Sequence, residues 1–301
     1  METNMAASAS SDLDPQSRRS FARVAAAVIA LVAMVAALPA CRVRPVSFLK
    51  RHPNTAPFNF AVALGPNKYQ IAGYLTRSDE PGRLPAMLVL NGEDTAERCV
   101  DSNAYIVAMG IQVACVSIPG YGHSSGPSRY VGPQAVAAAR KALDLLAARP
   151  DVDASRIAVW GLGNGAVAAG LLMDYDSRPR VLILQSGAYD MLSLWPETTL
   201  RTKLAILHEV WPSKRVLAER SVIRHLPNRL GCSVLILHGE GDKATPVSQA
   251  QDLASALRER GAHVETHYFP QGHRLGNQVS PDLRAFLRQN LLGGGESDAA
   301  S

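Results

Sequence analysis

A chain of 301 residues, 47% of them hydrophobic, buries a substantial core, which excludes disorder over most of its length. The formal net charge is +5, and residues 1–40 are balanced, with Glu2, Asp12 and Asp14 against Arg18, Arg19 and Arg23. The excess is therefore spread thinly over the rest, with no basic stripe interleaved with aromatic residues, and nucleic acid is excluded as a partner.

The first element in the chain is an address. Ser17-Arg18-Arg19-Ser20-Phe21-Ala22-Arg23 precedes an uncharged, Ala-rich run from Val24 to Ala40, and together they resemble a bacterial twin-arginine export signal. Leu38-Pro39-Ala40-Cys41 is similar to a lipobox. Residues 1–41 thus read as a lipoprotein signal, with Cys41 the lipid-bearing first residue of the mature chain. The alternative is an uncleaved anchor, since the apolar run at 1.5 Å per residue is just short of a ~30 Å hydrocarbon core. Both versions imply an exported, membrane-associated protein of the bacterial cell envelope, periplasmic or on its outer face. Residues 42–57 read as a basic, Pro-broken tether.

The folded domain is predicted over residues 58–292. "FNFAVAL" and "YQIAGYL" have the composition of a hairpin closed by Gly65-Pro66-Asn67. Six short runs follow: "PAMLVLNG", "IQVACVSIPG", "RIAVWG", "RVLILQSG", "CSVLILHGE" and "HVETHYFP". The first five are nearly continuous in apolar residues, as strands buried on both faces must be. Between them lie helical patterns such as Val136, Ala139, Leu143 and Leu146. The expected fold class is α/β, a mainly parallel sheet of about eight strands with helices on both faces. Residues 189–230 are too apolar for a solvated loop and too long for a simple crossover, so they are predicted to form a helical cap. Residues 293–301 read as a disordered tail. The four cysteines show no spacing that indicates a disulfide framework. Cys115, inside an apolar run, reads as a buried thiol, and a single Cys99 to Cys232 bridge is the alternative.

Chemistry centres on Arg156 to Gly170, "RIAVWGLGNGAVAAG". Gly161, Gly163 and Ala166 fit a dinucleotide-binding turn, but that turn follows the first strand of its fold and needs an acid some twenty residues on. Neither condition is met. Gly161-Leu162-Gly163-Asn164-Gly165 also fits a G-x-S-x-G nucleophile turn with glycine in place of serine. That reading requires an acid after a later strand and a histidine after the last one, and Asp242 in "LILHGEGDKATP" and His273 in "HYFPQGHRL" stand in those places. With "LAARPDVDASRIAVWG" and "SGAYD", these segments resemble the α/β-hydrolase fold, and more narrowly the prolyl oligopeptidase-like and dienelactone hydrolase-like serine hydrolases.

The resemblance implies a triad with Asp242, His273 and Gly163, the last a vacant nucleophile position. It further implies an oxyanion hole from the backbone N–H groups of Asn164 and Glu93. Asp94, beside Glu93, adds a second carboxylate to the same loop. Ser186, Ser124 and Ser125 are the hydroxyls nearest in the plan. Neither a cofactor nor a metal is expected, because His123, His208, His225, His238, His263 and His267 lack ligand spacing. Three functions follow. One is a degenerate hydrolase that binds a small acyl, ester or peptide-like ligand under the cap. Another is an active esterase, thioesterase or peptidase that uses water activated by His273 or a displaced nucleophile. The third is an envelope scaffold.

Overall fold

The computed structural model describes residues 45–92 and 94–293. Cys41, the segment read as an export signal and residues 294–301 of the predicted tail lie outside the described residues, as does Glu93. The chain divides into two units, Met1–Arg51 and His52–Ser301. Of the first, helix α1 (Pro45–Arg51) is described, within the segment read as a tether.

In the second unit an eight-stranded sheet has the order β1-β4-β6-β5-β7-β8-β9-β10. Its members are β1 (Thr55–Pro57), β4 (Gly73–Thr76), β5 (Leu84–Asn91), β6 (Gln112–Ser117), β7 (Val152–Leu162), β8 (Val181–Gln185), β9 (Ser233–Gly239) and β10 (His263–Phe269). β1 and β4 run antiparallel, and from β6 to β10 every pairing is parallel. This is the α/β architecture expected, although β1 brings the sheet back to Thr55, before the expected start at Phe58. The hairpin is also found, as β2 (Phe60–Leu64) paired with β3 (Asn67–Ile71), and it forms a separate two-stranded sheet.

The central strands alternate between two buried faces. Leu88, Leu90, Val159, Leu182, Leu184, Val234 and Ile236 share one core with α4 (Pro133–Ala147), α5 (Asn164–Leu172) and α9 (Ser248–Glu259). Met87, Val89, Trp160, Ile183 and Leu235 are buried on the other face. Both faces must be apolar because helices cover both, which is why these strands read as continuous runs rather than alternating ones. On the second face lie α2 (Ala96–Ser102), α3 (Ala104–Val107) and α10 (Ser280–Asn290). The Arg284 guanidinium of α10 stacks over the Tyr105 ring of α3, 4.7 Å from its centre.

The expectation for the cysteines does not hold. Cys99 and Cys115 are joined by a disulfide, with Cα atoms 5.9 Å apart, and Cys232 is the buried thiol. The reason is facing. Cys115 pairs in register with Val89, and Val89 with Trp160, so its side chain stands on the face that α2 covers, where Cys99 is carried. Sequence spacing does not reveal which face of a strand a helix will cover. Burial pushes the Cys232 thiol up to about 11, which keeps it unreactive.

Residues 191–224 contain α6 (Met191–Glu197), α7 (Leu200–Glu209), α8 (Lys214–Ala218) and a single 3-10 turn (Val222–Arg224). Side chains start three of them: Asp190, Thr199 and Ser213 each accept a backbone N–H from the first turn that follows.

Non-reducing peptide mapping should recover a Cys99–Cys115 linked pair and alkylatable Cys232 after unfolding. Replacing both bridged cysteines by Ala should lower stability by about 3 kcal/mol, the loop-closure contribution of a cross-link of this span, as read by urea unfolding.

Candidate functional site

The elbow between β7 and α5 is built by backbone contact. A Cβ on Gly161 would lie 2.3 Å from the carbonyl oxygen of Gly165, and one on Gly165 would lie 1.9 Å from the carbonyl oxygen of Leu90. Only glycines let the helix descend onto the strands this closely. At the apex Gly163 has φ 55° and ψ −119°, a conformation that strains any L side chain. Its N–H donates to the carbonyl of Gln185 at 2.9 Å, which ties the elbow to the end of β8, and its own carbonyl accepts from Ala166 at 3.0 Å.

Asp242 follows β9 and His273 follows β10, parallel neighbours whose register ends Gly239 against Phe269. The ring Nδ1 of His273 lies 2.6 Å from Asp242 Oδ2. Thr245 Oγ1 donates to the same oxygen at 2.6 Å and stands 3.0 Å from Nδ1. The other carboxylate oxygen accepts from the backbone N–H groups of Ala244 and Thr245, at 2.9 and 3.0 Å. The carboxylate can only accept, so Nδ1 carries the proton and Nε2 is the basic nitrogen. Burial alone would raise the Asp242 carboxyl, but the bonds from His273 and Thr245 outweigh it and hold it below the ordinary range. The Asp242 side chain is fully buried while that of His273 is 30% exposed, so the ring can meet a ligand and its partner cannot.

Two cavities share Gly163, Ser186 and His273. The first, of about 250 Å³, extends over the α2–α3 side of the sheet and is lined by Trp160, Leu162, Gln185, Asn103 and Tyr105 among others. Three of its buried polar atoms, Trp160 Nε1, Gln185 Oε1 and Ser186 Oγ, have no hydrogen-bond partner among the described residues. The second, of about 430 Å³, is walled by Thr199, Arg201, Thr202 and Ala205 of the helical insertion, with Tyr130 and Lys243.

Of the remaining sequence-predicted residues, Asp94 lines the first cavity and Asn164 the second, and Ser124 and Ser125 line neither. Asn164 opens α5, where the first backbone N–H groups have no intrahelical acceptor, and its side chain donates to Tyr121 Oη at 2.5 Å. Gly92, immediately before Glu93, abuts the Gly165 N–H closely enough that a Cβ there would be 2.3 Å away. Asp94 is occupied by Arg98 at 3.0 Å and by the Thr95 N–H at 2.8 Å. Ser124 and Ser125 accept from backbone N–H groups of Ala72 and Gln70, so both serve the hairpin region. Ser186 is different: it is buried, it has φ 51°, and it lines both cavities. Among the described residues there is no cluster suited to a metal ion. Thr245 was missed in the sequence, though its spacing three residues after the acid suits a hydroxyl that folds back on the carboxylate.

His238 lies beneath the pair, fully buried, with Nε2 donating to the Thr245 carbonyl at 2.7 Å. Burial pulls its pKa below the ordinary histidine value. The folded state therefore binds fewer protons than the unfolded one, and stability falls as pH drops below about 6.5 toward the lowered folded pKa. Urea midpoints should decline between about pH 7 and pH 5 in the wild type. His238→Gln, which keeps an N–H donor but does not titrate, should flatten that decline.

Uncharacterized protein Rv2307c of Mycobacterium tuberculosis is 28% identical over 203 residues, covering 65% of this chain and 66% of that protein. An acylaminoacyl peptidase solved with Z-Gly-Gly-Phe-chloromethyl ketone superposes with a TM-score of 0.66 at 14% identity, over 81% of this chain and 43% of its own. A puromycin-hydrolyzing peptidase of Mycobacterium tuberculosis gives 0.66 at 20% identity, over 87% and 42%. At such identities these structures establish the fold, and this chain spans less than half of either peptidase. Residues 99–291, which hold the elbow, Asp242 and His273, match the sequence model of the prolyl oligopeptidase family, and the chain belongs to that family.

Proposed function

We propose that this protein is a degenerate serine hydrolase of the prolyl oligopeptidase family, which binds a small acyl, ester or peptide-like ligand with little or no hydrolysis. One observation carries the reading. Gly163 stands at the apex of an elbow with φ 55° and ψ −119°, while the Asp242–His273 hydrogen bond, at 2.6 Å, is intact. The base and its orienting acid are in place, and the residue they would activate has no side chain. Loss of a nucleophile alone removes several orders of magnitude of rate, with a remnant left to binding and the oxyanion hole.

Binding has its own support. Trp160, Gln185 and Ser186 line a cavity, and their buried Nε1, Oε1 and Oγ atoms have no protein partner among the described residues; leaving such groups unpaired costs about 1–3 kcal/mol each. A ligand with a neutral amide or ester suits them, its carbonyl accepting from the indole and an N–H donating to Gln185. The peptide-like inhibitor held by the acylaminoacyl peptidase belongs to the same chemical class.

A second reading is favoured by Ser186. A buried serine in the left-handed region, with an unpartnered hydroxyl and lining the same cavity as His273, is strained in a way associated with function. In this reading Ser186 Oγ forms the bond to the acyl carbon and passes its proton to His273 Nε2. The bond from that carbon to the leaving group breaks as the leaving group takes the proton, and water then releases the acyl group by the same steps in reverse.

One experiment separates the two. Gly163→Ser should cost about 1–3 kcal/mol of stability through the strained apex and should create fluorophosphonate labelling and p-nitrophenyl ester hydrolysis absent from the wild type. Labelling of the wild type that Ser186→Ala abolishes would establish the second reading. A folded Gly163→Ser variant that stays inert would show that the pocket has diverged beyond what one residue restores, and ester hydrolysis by the wild type that survives Ser186→Ala would defeat the first.

We also propose export by the twin-arginine route, with lipid on Cys41 holding the protein in the cell envelope. The support is the Ser17–Arg23 motif and the lipobox-like Leu38–Cys41. A diacylglyceryl cysteine has the two chains that stable anchoring needs. Replacing Arg18 and Arg19 together by Lys should retain the protein in the cytoplasm, read by fractionation; normal export of that variant would refute the route.

A further inference from the structure

Exposed large apolar side chains are concentrated on one segment of the insertion. Leu200 is 72% exposed, Leu204 57%, Leu207 41% and Trp211 79%; elsewhere among the described residues Leu64 and Tyr175 are the exposed ones. At about 100° per residue, Leu200, Leu204 and Leu207 lie within about 60° of one another on α7, and Trp211 follows just past its last residue, Glu209. Ile206, on the opposite flank, is buried and already anchors the helix inward. The stripe is therefore not needed to hold α7 on the fold.

Charge around the stripe has one sign. Arg201 borders it on one side and Lys203 on the other, and Lys214 and Arg215 follow Trp211. Between Thr198 and Val216 the single acid is Glu209, and its carboxylate is turned inward, accepting from the Ser128 hydroxyl and, at 2.5 Å, from the Tyr130 N–H. A row of leucines and a tryptophan with a cationic border is the composition of a helix that lies in the plane of a membrane interface, its apolar side among the acyl chains and its cations at the headgroups. Tryptophan favours that boundary because its ring is apolar and its N–H polar.

We propose that the Leu200–Trp211 face seats the insertion on an anionic lipid bilayer. A second copy is the poorer occupant, because a symmetric contact through this stripe would bring the cationic borders of both copies together. Docking has a consequence for the site. Arg201, Thr202 and Ala205 of the same helix wall the larger cavity beside Gly163 and His273, so a seated insertion sets that cavity next to the lipid surface. The surface does not depend on whether the ligand reading is right.

The test uses the full chain reconstituted with phosphatidylglycerol vesicles whose acyl chains are brominated, with unbrominated vesicles as reference. Bromine quenches only tryptophan that reaches the acyl region. Trp160 is 4% exposed in the core and Trp195 is half-buried, which leaves Trp211 as the reporter. The wild type should lose emission to the brominated lipid, and Trp211→Phe should lose most of that quenching. Leu204→Asp with Leu207→Asp, both at exposed positions, should abolish quenching of Trp211 while thermal unfolding stays unchanged. Anchoring by the N-terminus alone would leave Trp211 unquenched, which overturns the proposal. So would quenching that is equal in phosphatidylcholine and phosphatidylglycerol, or shielding of Trp211 that rises with protein concentration in the absence of lipid.

Discussion

The seating of α5 on the central strands is the constraint from which the rest of the site follows. With a Cβ on Gly165 only 1.9 Å from the Leu90 carbonyl and one on Gly161 2.3 Å from Gly165, there is no room for a side chain at either position. The helix consequently starts at the very edge of the sheet and forces the chain through a sharp apex at Gly163. That apex lies beside the end of β8, to which it is hydrogen bonded. The first N–H groups of α5 thereby face the same space as the loop after β5. Any residue placed at 163 would project into that space.

Opposite the apex, the Asp242–His273 pair is held by more than mutual attraction. Thr245 bonds the carboxylate through both its hydroxyl and its N–H, and its carbonyl takes the proton of His238 below. The orientation of His273 is thus set by a connected polar cluster whose inner members are buried. Removal of one partner would strand the others, and a cluster of that kind can persist for structural reasons whether or not chemistry occurs. Retention of the pair is therefore a weaker indicator of activity than the identity of residue 163.

The insertion over the larger cavity buries Met191, Leu194, Ile206, Leu217 and Val222 in the core and is tied down by polar contacts as well. The Arg220 guanidinium is almost fully buried and donates to the carbonyls of Arg129, Tyr130 and Val216. The first two carbonyls are presented by a turn in which Arg129, Tyr130 and Val131 all have positive φ, a conformation costly for residues that are not glycine. Glu209 bonds the same turn from α7. Desolvation lowers the Arg220 pKa, but it remains charged, and its three carbonyl partners replace the water it gives up.

Most of the architecture could be read directly from the chain. Apolar runs bounded by turn residues located every strand from β5 to β9, because a strand covered on both faces has no polar positions to hide. The spacing of Gly161, Gly163 and Gly165 marked the elbow, since close backbone approach tolerates nothing larger than hydrogen, and the order of Asp242 and His273 after their strands followed from the same plan. Tertiary structure alone decided what depends on facing. It paired Cys115 with Cys99 because both lie on the side of the sheet that α2 covers. It placed Ser186 in the left-handed region at the border of two cavities, and it gathered Trp160 and Gln185, from neighbouring strands, into one of them. The sequence also showed Leu200, Leu204 and Leu207 as apolar, but not that they face outward. A periodic pattern states that a helix has an apolar side, and only the packing of Ile206 against the core determines which side is left for something else to cover.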